Sequence, residues 1–182
     1  EEIVQENSIN IVFNVFEGNK ILVERINIKG NSITDESVIR SEMILDEGDP
    51  FTNLSLEKSM SNIKSRNIFN TVNYVIKPGS SNDLKIIDVL VEEKPTGEIS
   101  AGAGIGTSGG TLAFSIKENN WLGEGKSVAF EAEIDEESIT GVLIFNNPNY
   151  DLLGNSLNYS LSSQSNDKPD QGYENTVNGA SI

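Results

Sequence analysis

The sequence predicts two unlike halves: an α+β domain of order β-α-α-β-β, then the N-terminal antiparallel strands of a transmembrane β-barrel. Three observations carry this. Apolar residues at helical spacing occur only before Pro95. After Pro95-Thr96-Gly97 the apolar period becomes two and stays near two to residue 182. In that second half the face opposite the apolar one is small, polar or acidic.

Taken in order, "INIVFNVFE" over residues 9–17 reads as a strand ahead of Gly18, so residues 1–18 are expected to end a preceding domain. The α+β domain is then placed at 19–95. "KILVERINIKG" alternates with Leu22, Glu24, Ile26 and Ile28 on one face and stops at the turn pair Gly30-Asn31. "TDESVIRSEMI" predicts a helix with Thr34 as N-cap, acids in its first turn and a stripe of Val38, Ile39 and Met43. Gly48 and Pro50 interrupt. "NLSLEKSMSNIKSRN" predicts a second helix, with Leu56, Met60 and Ile63 on one side and Lys64 and Arg66 near the C-terminal end, where the dipole favours cations. "NTVNYVIK" alternates through Val72, Tyr74 and Ile76, Pro78-Gly79 forces a turn, and "LKIIDVLVEE" is the last strand. One helical layer on one three-stranded sheet suffices for such a domain.

From residue 96 to 182 the pattern predicts five or six strands. The first puts Ile99, Ala101, Ala103 and Ile105 on one face and Ser100, Gly102, Gly104 and Gly106 on the other. The next exposes Leu112, Phe114 and Ile116 on one side. The third sets Val128, Phe130, Ala132 and Ile134 against Ala129, Glu131, Glu133 and Asp135. "SITGVLIFNN" carries branched residues on both sides, and Leu157, Tyr159 and Leu161 restore the alternation. In a barrel, Leu112, Phe114, Ile116, Val128, Phe130, Ile134, Leu157, Tyr159 and Leu161 would face lipid and the acids an aqueous lumen. A soluble sandwich would alternate too, but with bulkier residues than Gly, Ala and Ser on its second face. Trp121, Pro148 and Tyr150 fall near strand ends, either as an aromatic girdle at a membrane interface or as ordinary loop anchors. Six strands cannot close a membrane barrel, so more strands are expected downstream and the chain is expected to be a piece of something longer.

Composition excludes several functions. Without Cys there is no disulfide or thiolate chemistry, and without His the commonest catalytic base and metal ligand is missing. The net charge of −15, divided as −6 up to Gly97 and −9 beyond, leaves no basic stripe for nucleic acid. The acidity fits either a solvated surface or a carboxylate-lined lumen. Glu131 and Glu133 share a strand face, but their spacing follows from strand geometry alone and is no argument for glycosidase chemistry. No catalytic residue, cofactor or metal site is expected.

One motif needs separate weighing. Gly104-Ile105-Gly106-Thr107-Ser108-Gly109 has the spacing of a nucleotide-binding glycine loop. A dinucleotide loop requires a helix after it, and the segment beyond Gly109, "GTLAFSIKE", reads as a strand. A kinase loop requires His-Arg-Asp and Asp-Phe-Gly segments, and neither is present. Glycines also weaken a strand and bare its backbone. The first strand therefore reads as a loosely held edge whose free N–H and C=O groups could template an incoming strand, with tight packing inside the lumen as the other explanation.

The ordered elements "INIKGNSITDESVIRSEM", "EGDPF", "NIFNTVNYVIKPGS", "IDVLVEEKPTGEISAGAGIGTSGG", "NNWLGEGKSV" and "FNNPNY" resemble the BamA family of outer-membrane protein assembly factors. The likeness runs from residue 8 to about 165, through the last POTRA domain into the first barrel strands. It implies a cell outer-membrane barrel of a Gram-negative type with periplasmic POTRA domains, inserting other barrel proteins without cofactor or energy-yielding reaction. It also implies partners: unfolded outer-membrane proteins, outer-membrane lipid, and a BamD-like accessory lipoprotein at the segment holding Arg40, Glu42 and Met43. Residues Ile99, Ser100, Ala101, Gly102, Ala103, Gly104, Ile105 and Gly106 match the family's lateral-gate strand. The family's Arg-Gly-Phe loop motif and last barrel strand have no counterpart in these residues. A sister branch, namely a two-partner secretion pore or a translocation and assembly module protein, thus stays open as the alternative.

Overall fold

A computed structural model describes residues 2–5, 8–14, 18, 20–106, 109–151 and 154–182. Its first element is an antiparallel hairpin of β1 (Glu2–Gln5) and β2 (Ser8–Ile11). The strand expected over 9–17 ends at Ile11; residues 12–14 are irregular, and 15–17 lie outside the described residues.

The α+β domain comes next in the expected order: β3 (Leu22–Lys29), α1 (Glu36–Arg40), α2 (Asn53–Ser65), β4 (Phe69–Pro78) and β5 (Leu84–Glu93). Its sheet has the order β3-β5-β4, with β3 parallel and β4 antiparallel to β5. Between β3 and β5 the chain runs through both helices and the antiparallel strand β4, so β5 comes back parallel to β3, and α1 and α2 bury their apolar sides on one sheet face. Val23 and Ile26 of β3, Ile39 of α1, Leu56, Met60 and Ile63 of α2, and Ile87, Val89 and Val91 of β5 form the core. Each such fully buried side chain stabilises the fold by roughly 1.5–3 kcal/mol. Ser59 is buried among them without cost, since its Oγ donates to Ser55 O at 2.8 Å and accepts from Ile44 N–H at 2.9 Å. Thr52 caps α2 by accepting from Ser55 N–H at 3.0 Å.

Three expectations for this half need correction. The inward residues of β3 are Val23, Ile26 and, partly buried, Ile28, so the expected face holds from Ile26 onward but not for Leu22 and Glu24, because a bulge between Val23 and Arg25 resets the period. On β4 the expected alternation of Val72, Tyr74 and Ile76 holds, opposite Val91, Val89 and Ile87, although Tyr74 and Ile76 stay exposed on this edge strand, and the bulge between Phe69 and Thr71 adds Phe69 to the buried side. The first helix has Asp35 at its N-cap position, without a side-chain cap bond, and stops at Arg40, so Met43 is not on it. Thr34 cannot cap, because its Oγ1 accepts from Asn120 Nδ2 and so points away from the helix start. Past Arg40 the chain unwinds into turns in which Glu42 N–H reaches Ile39 O at 3.2 Å and Met43 N–H reaches Arg40 O at 3.0 Å.

The second half is one antiparallel meander: β6 (Gly97–Gly106), β7 (Gly109–Trp121), β8 (Lys126–Ile134), β9 (Ser138–Asn147), β10 (Leu157–Lys168) and β11 (Tyr173–Ser181), neighbours in that order. The register builds two faces. Ile99, Ile116, Phe130, Leu143 and Leu161 form one row across five strands, and Ser100, Ser115, Glu131, Val142 and Ser162 the next. Directly opposed residues share a face and alternate rows lie on opposite faces, so all nine residues expected to be lipid-facing fall on the first side. The poor alternation of β9 persists: Val142 and Ile144 stand on the polar face, Ile144 opposite the buried Ala129. Asp135 does not belong to the acidic row of Glu131 and Glu133, because β8 ends at Ile134. Its carboxylate instead closes the β8–β9 turn, accepting from Glu137 N–H at 2.8 Å and Ser138 N–H at 2.6 Å.

Candidate functional site: the free strand edge and the domain junction

Strand β6 stands at one edge of the meander, hydrogen-bonded to β7 on one side and to no described strand on the other. In an antiparallel pair alternate residues direct both backbone groups to the same neighbour. Two bonds fix which ones. Asn119 N–H donates to Thr96 O at 3.2 Å, just beyond the Gly97–Glu118 pair. Gly110 N–H, opposite Ile105, turns away from β6 toward the Glu136 carboxylate at 3.4 Å. Hence Glu98, Ser100, Gly102, Gly104 and Gly106 bond to β7, whereas Ile99, Ala101, Ala103 and Ile105 present their N–H and C=O groups at the free edge.

Gly102, Gly104 and Gly106 have no positive φ, and a Cβ built on any of them would meet no described atom within 4 Å. Among the described residues, neither backbone conformation nor packing calls for glycine there. What remains is the lowered strand stability that three glycines in alternate positions bring. The segment after Gly109 is strand β7, where a dinucleotide loop would need a helix; Thr107 and Ser108 of that motif lie outside the described residues.

At the other end of β6 the sheet is locked onto the α+β domain. The β7–β8 turn packs on the loop before α1. Asn120 is 8% exposed; its Nδ2 donates to Thr34 Oγ1 at 2.9 Å and its Oδ1 accepts from Gly125 N–H at 2.8 Å. Asp35 N–H donates to Gly123 O at 2.9 Å. Arg66, at the end of α2, donates to Gly125 O and sets its Nε 3.5 Å from Glu42 Oε1. Burial pulls the Arg66 guanidinium below its usual value, and the charge of Glu42 opposes that shift. Glu42 is also bound by Asn149 Nδ2 at 2.7 Å, from the β9–β10 turn. Two barrel-side turns thus clasp one end of the helical layer.

The loop these turns hold is itself fixed by Glu93, the last residue of β5. Its carboxylate accepts the N–H groups of Ser32, Ile33 and Thr34 at 2.6–3.0 Å and the Ser32 hydroxyl at 2.8 Å. Burial pushes this carboxyl up, but those bonds outweigh it and bring it down to about 2. The folded value lies below the unfolded one, so the stability it contributes is present above the ordinary carboxylate range and is lost as the pH falls through about 2.

The segment expected to dock an accessory lipoprotein does not form one exposed helical patch. Arg40 Nε donates to Glu36 at 2.6 Å and its Nη2 to Ile26 O at 2.9 Å, tying α1 to β3. Met43 leans on the core. The Glu42 side chain is only 15% exposed and serves the junction, so it is not a charge left free for the lipoprotein that the resemblance implies. Sequence reasoning gave Asn120, Arg66, Glu93 and Asn149 no structural role. Their signal is faint: two asparagines ahead of Gly-x-Gly in "NNWLGEGKS", and nothing at all for Arg66 beyond its place at a helix end.

Comparison with known proteins agrees with this layout. Residues 21–94 match the POTRA family, described as surface antigen variable number repeat. The outer membrane protein assembly factor BamA of Neisseria meningitidis serogroup B is 26% identical over 159 residues, 86% of this chain and 20% of its own length. The chain thus spans about a fifth of that protein. The crystal structure of BamA from Haemophilus ducreyi lacking POTRA domains 1-3 superposes with a TM-score of 0.82 at 25% identity, covering 99% of this chain and 35% of that one. CdiB from Escherichia coli shares the fold, with a TM-score of 0.59 at 16% identity over 89% of this chain and 32% of its own. Residues 21–94 are therefore a POTRA domain, and with the adjoining meander they form a BamA-like fragment, the POTRA domain next to the barrel together with the barrel's first strands.

Proposed function

We propose that this chain is the working part of an outer-membrane barrel-assembly factor, in which the free edge of β6 templates the first strand of an incoming barrel protein. The observation that carries this reading is the row of unpaired backbone groups at Ile99, Ala101, Ala103 and Ile105, on a strand weakened by open glycines. Backbone pairing is indifferent to side chains, which suits a machine serving many clients. No catalytic step is required. The POTRA domain lies on the periplasmic side, and the apolar face of the meander lies in lipid. Partners in this reading are unfolded outer-membrane proteins and an accessory lipoprotein of BamD type. With Glu42 held by Arg66 and Asn149, a lipoprotein at residues 40–43 would meet Arg40 and Met43 instead of a free carboxylate.

A disulfide placed between β6 and the strand that closes the full-length barrel tests the templating. Client insertion into vesicles is expected to stop when the seam is locked and to resume on reduction. Insertion at the normal rate by the locked protein would refute templating and favour passage through the lumen, the mode of a secretion pore.

The orientation has its own test. Phe130 and Glu131 are neighbours on opposite faces of β8. A charge on the lipid face costs up to about 2–4 kcal/mol near the midplane. Phe130→Arg should therefore impair the protein's own assembly, read as the folded fraction on unheated gels, far more than Glu131→Arg. The reverse ranking would invert the faces.

A further inference from the structure

We infer that the POTRA domain carries its own contact with the membrane: Ile33, beside Leu122 and Trp121, forms an apolar foot seated among the phospholipids at the periplasmic edge of the barrel. The inference rests on the lipid-facing reading of the meander and adds to it a surface outside the barrel.

The geometry starts from a bulge. Between Glu118 and Trp121 the β7–β8 register shifts, so that Trp121 pairs with Lys126. Lys126 is two residues from Val128 and so shares its face, which puts Trp121 on the apolar side of the sheet at the POTRA end. Leu122 comes next with φ 56, a left-handed conformation uncommon for leucine, and is 76% exposed. The turn holds this side chain out where a collapsed one would bury it.

The POTRA loop meets the turn at this point. A Cβ on Gly123 would run into the carbonyl oxygen of Ile33, and Asp35 N–H bonds Gly123 O at 2.9 Å. Thr34 turns inward to Asn120 and is 3% exposed, while the adjacent Ile33 is 71% exposed. The carboxylate of Glu93 fixes the backbone of Ser32, Ile33 and Thr34, so Ile33 is presented on a rigid loop. One exposed apolar residue means little, but three on two loops whose backbones touch, one of them the only Trp of the chain and on the apolar sheet face, mark an interface. The chemistry that fits is the headgroup and upper acyl region of a bilayer, where a Trp belt already sits in membrane barrels. Docking of a second protein at the same place is the competing outcome.

The test uses the full-length protein, freed of any cysteine elsewhere and reconstituted in phosphatidylcholine vesicles. Single cysteines replace Ile33, Leu122, Leu143 or Leu54 and carry an environment-sensitive dye. All four residues are exposed, so folding should survive. Leu143 lies mid-sheet on the apolar face, and Leu54 opens α2 at the end opposite Arg66, about 18 Å away along the helix axis. Phosphatidylcholine brominated near the headgroup should quench the dye at 33 and at 122 to the same extent, with blue-shifted emission at both. Deeply brominated lipid should quench at 143, and neither should quench at 54. Quenching at 143 with none at 33 overturns the inference alone. A blue shift at 33 that lipid bromine leaves unquenched also overturns it and points to a protein neighbour. Loss of quenching at 143 as well would overturn the lipid-facing reading with it.

Discussion

Ala103→Pro is expected to abolish insertion of client barrel proteins by the full-length protein while leaving its own barrel assembled. Ala103 is one of the four β6 residues whose backbone groups serve the free edge, and proline removes that N–H and adds bulk beside it. Proline is tolerated in an edge strand when its missing N–H would have faced outward, so the β6–β7 ladder should survive. Gly104→Pro is the informative contrast. Gly104 pairs with Thr111 and its N–H points into the ladder, so proline there removes a ladder bond and should lower the yield of folded protein. Gly104→Ala should be mild, since a Cβ at that position meets nothing described. The measurement is client folding in vesicles, scored beside the variant's own folded fraction. Normal client folding by Ala103→Pro would dismiss the edge as the site of action. Glycine spacing alone would have directed the proline to Gly104, which register shows to be the wrong parity.

This difference illustrates what the sequence could and could not reveal. Faces were legible because a strand's side-chain period is local: nine apolar positions between Leu112 and Leu161 could be assigned to one side without knowing any neighbour. Edges were not, because which neighbour a residue bonds depends on register, and register is a property of two strands. Bulges limit even the local reading. At Val23/Arg25, Phe69/Thr71 and Glu118/Trp121 a single extra residue reversed the parity on one side of it. The junction was the least legible part. Thr34 and Asn120 are 86 residues apart, Arg66 and Gly125 59, and each residue type has an ordinary local explanation as cap, turn or helix end. Glu42 shows the consequence. The family resemblance placed it in a docking segment, whereas contacts from the end of α2 and from the distant β9–β10 turn make it a structural charge.

If that junction transmits the position of the POTRA domain to β6, loosening it should matter as much as damaging the edge, and Gly123→Ala is the sharpest way to loosen it. Gly123 has φ +78, which alone disfavours alanine by roughly 1–2 kcal/mol. Its new Cβ would also overlap the Ile33 carbonyl, which Glu93 anchors through the Ile33 N–H and its neighbours, so the loop cannot simply retreat. The turn must lift instead. Lifting it sacrifices the Asp35–Gly123 bond and strains Asn120–Thr34 and Arg66–Gly125, each worth about 1 kcal/mol, for up to about 3 kcal/mol beyond the backbone strain. The contacts that remain between the two units are few and polar, so the POTRA domain should swing while both units stay folded. Spin labels on α2 and on β8 of the full-length protein should report a narrow distance distribution in the parent and a broad one in Gly123→Ala. Because β6 comes after the POTRA domain with only Lys94, Pro95 and Thr96 between, client folding should fall in parallel. A broad distribution with unimpaired client folding would mean that the clasp sets posture without serving assembly. A distribution as narrow as the parent's would mean that the turn is not what holds the domains together.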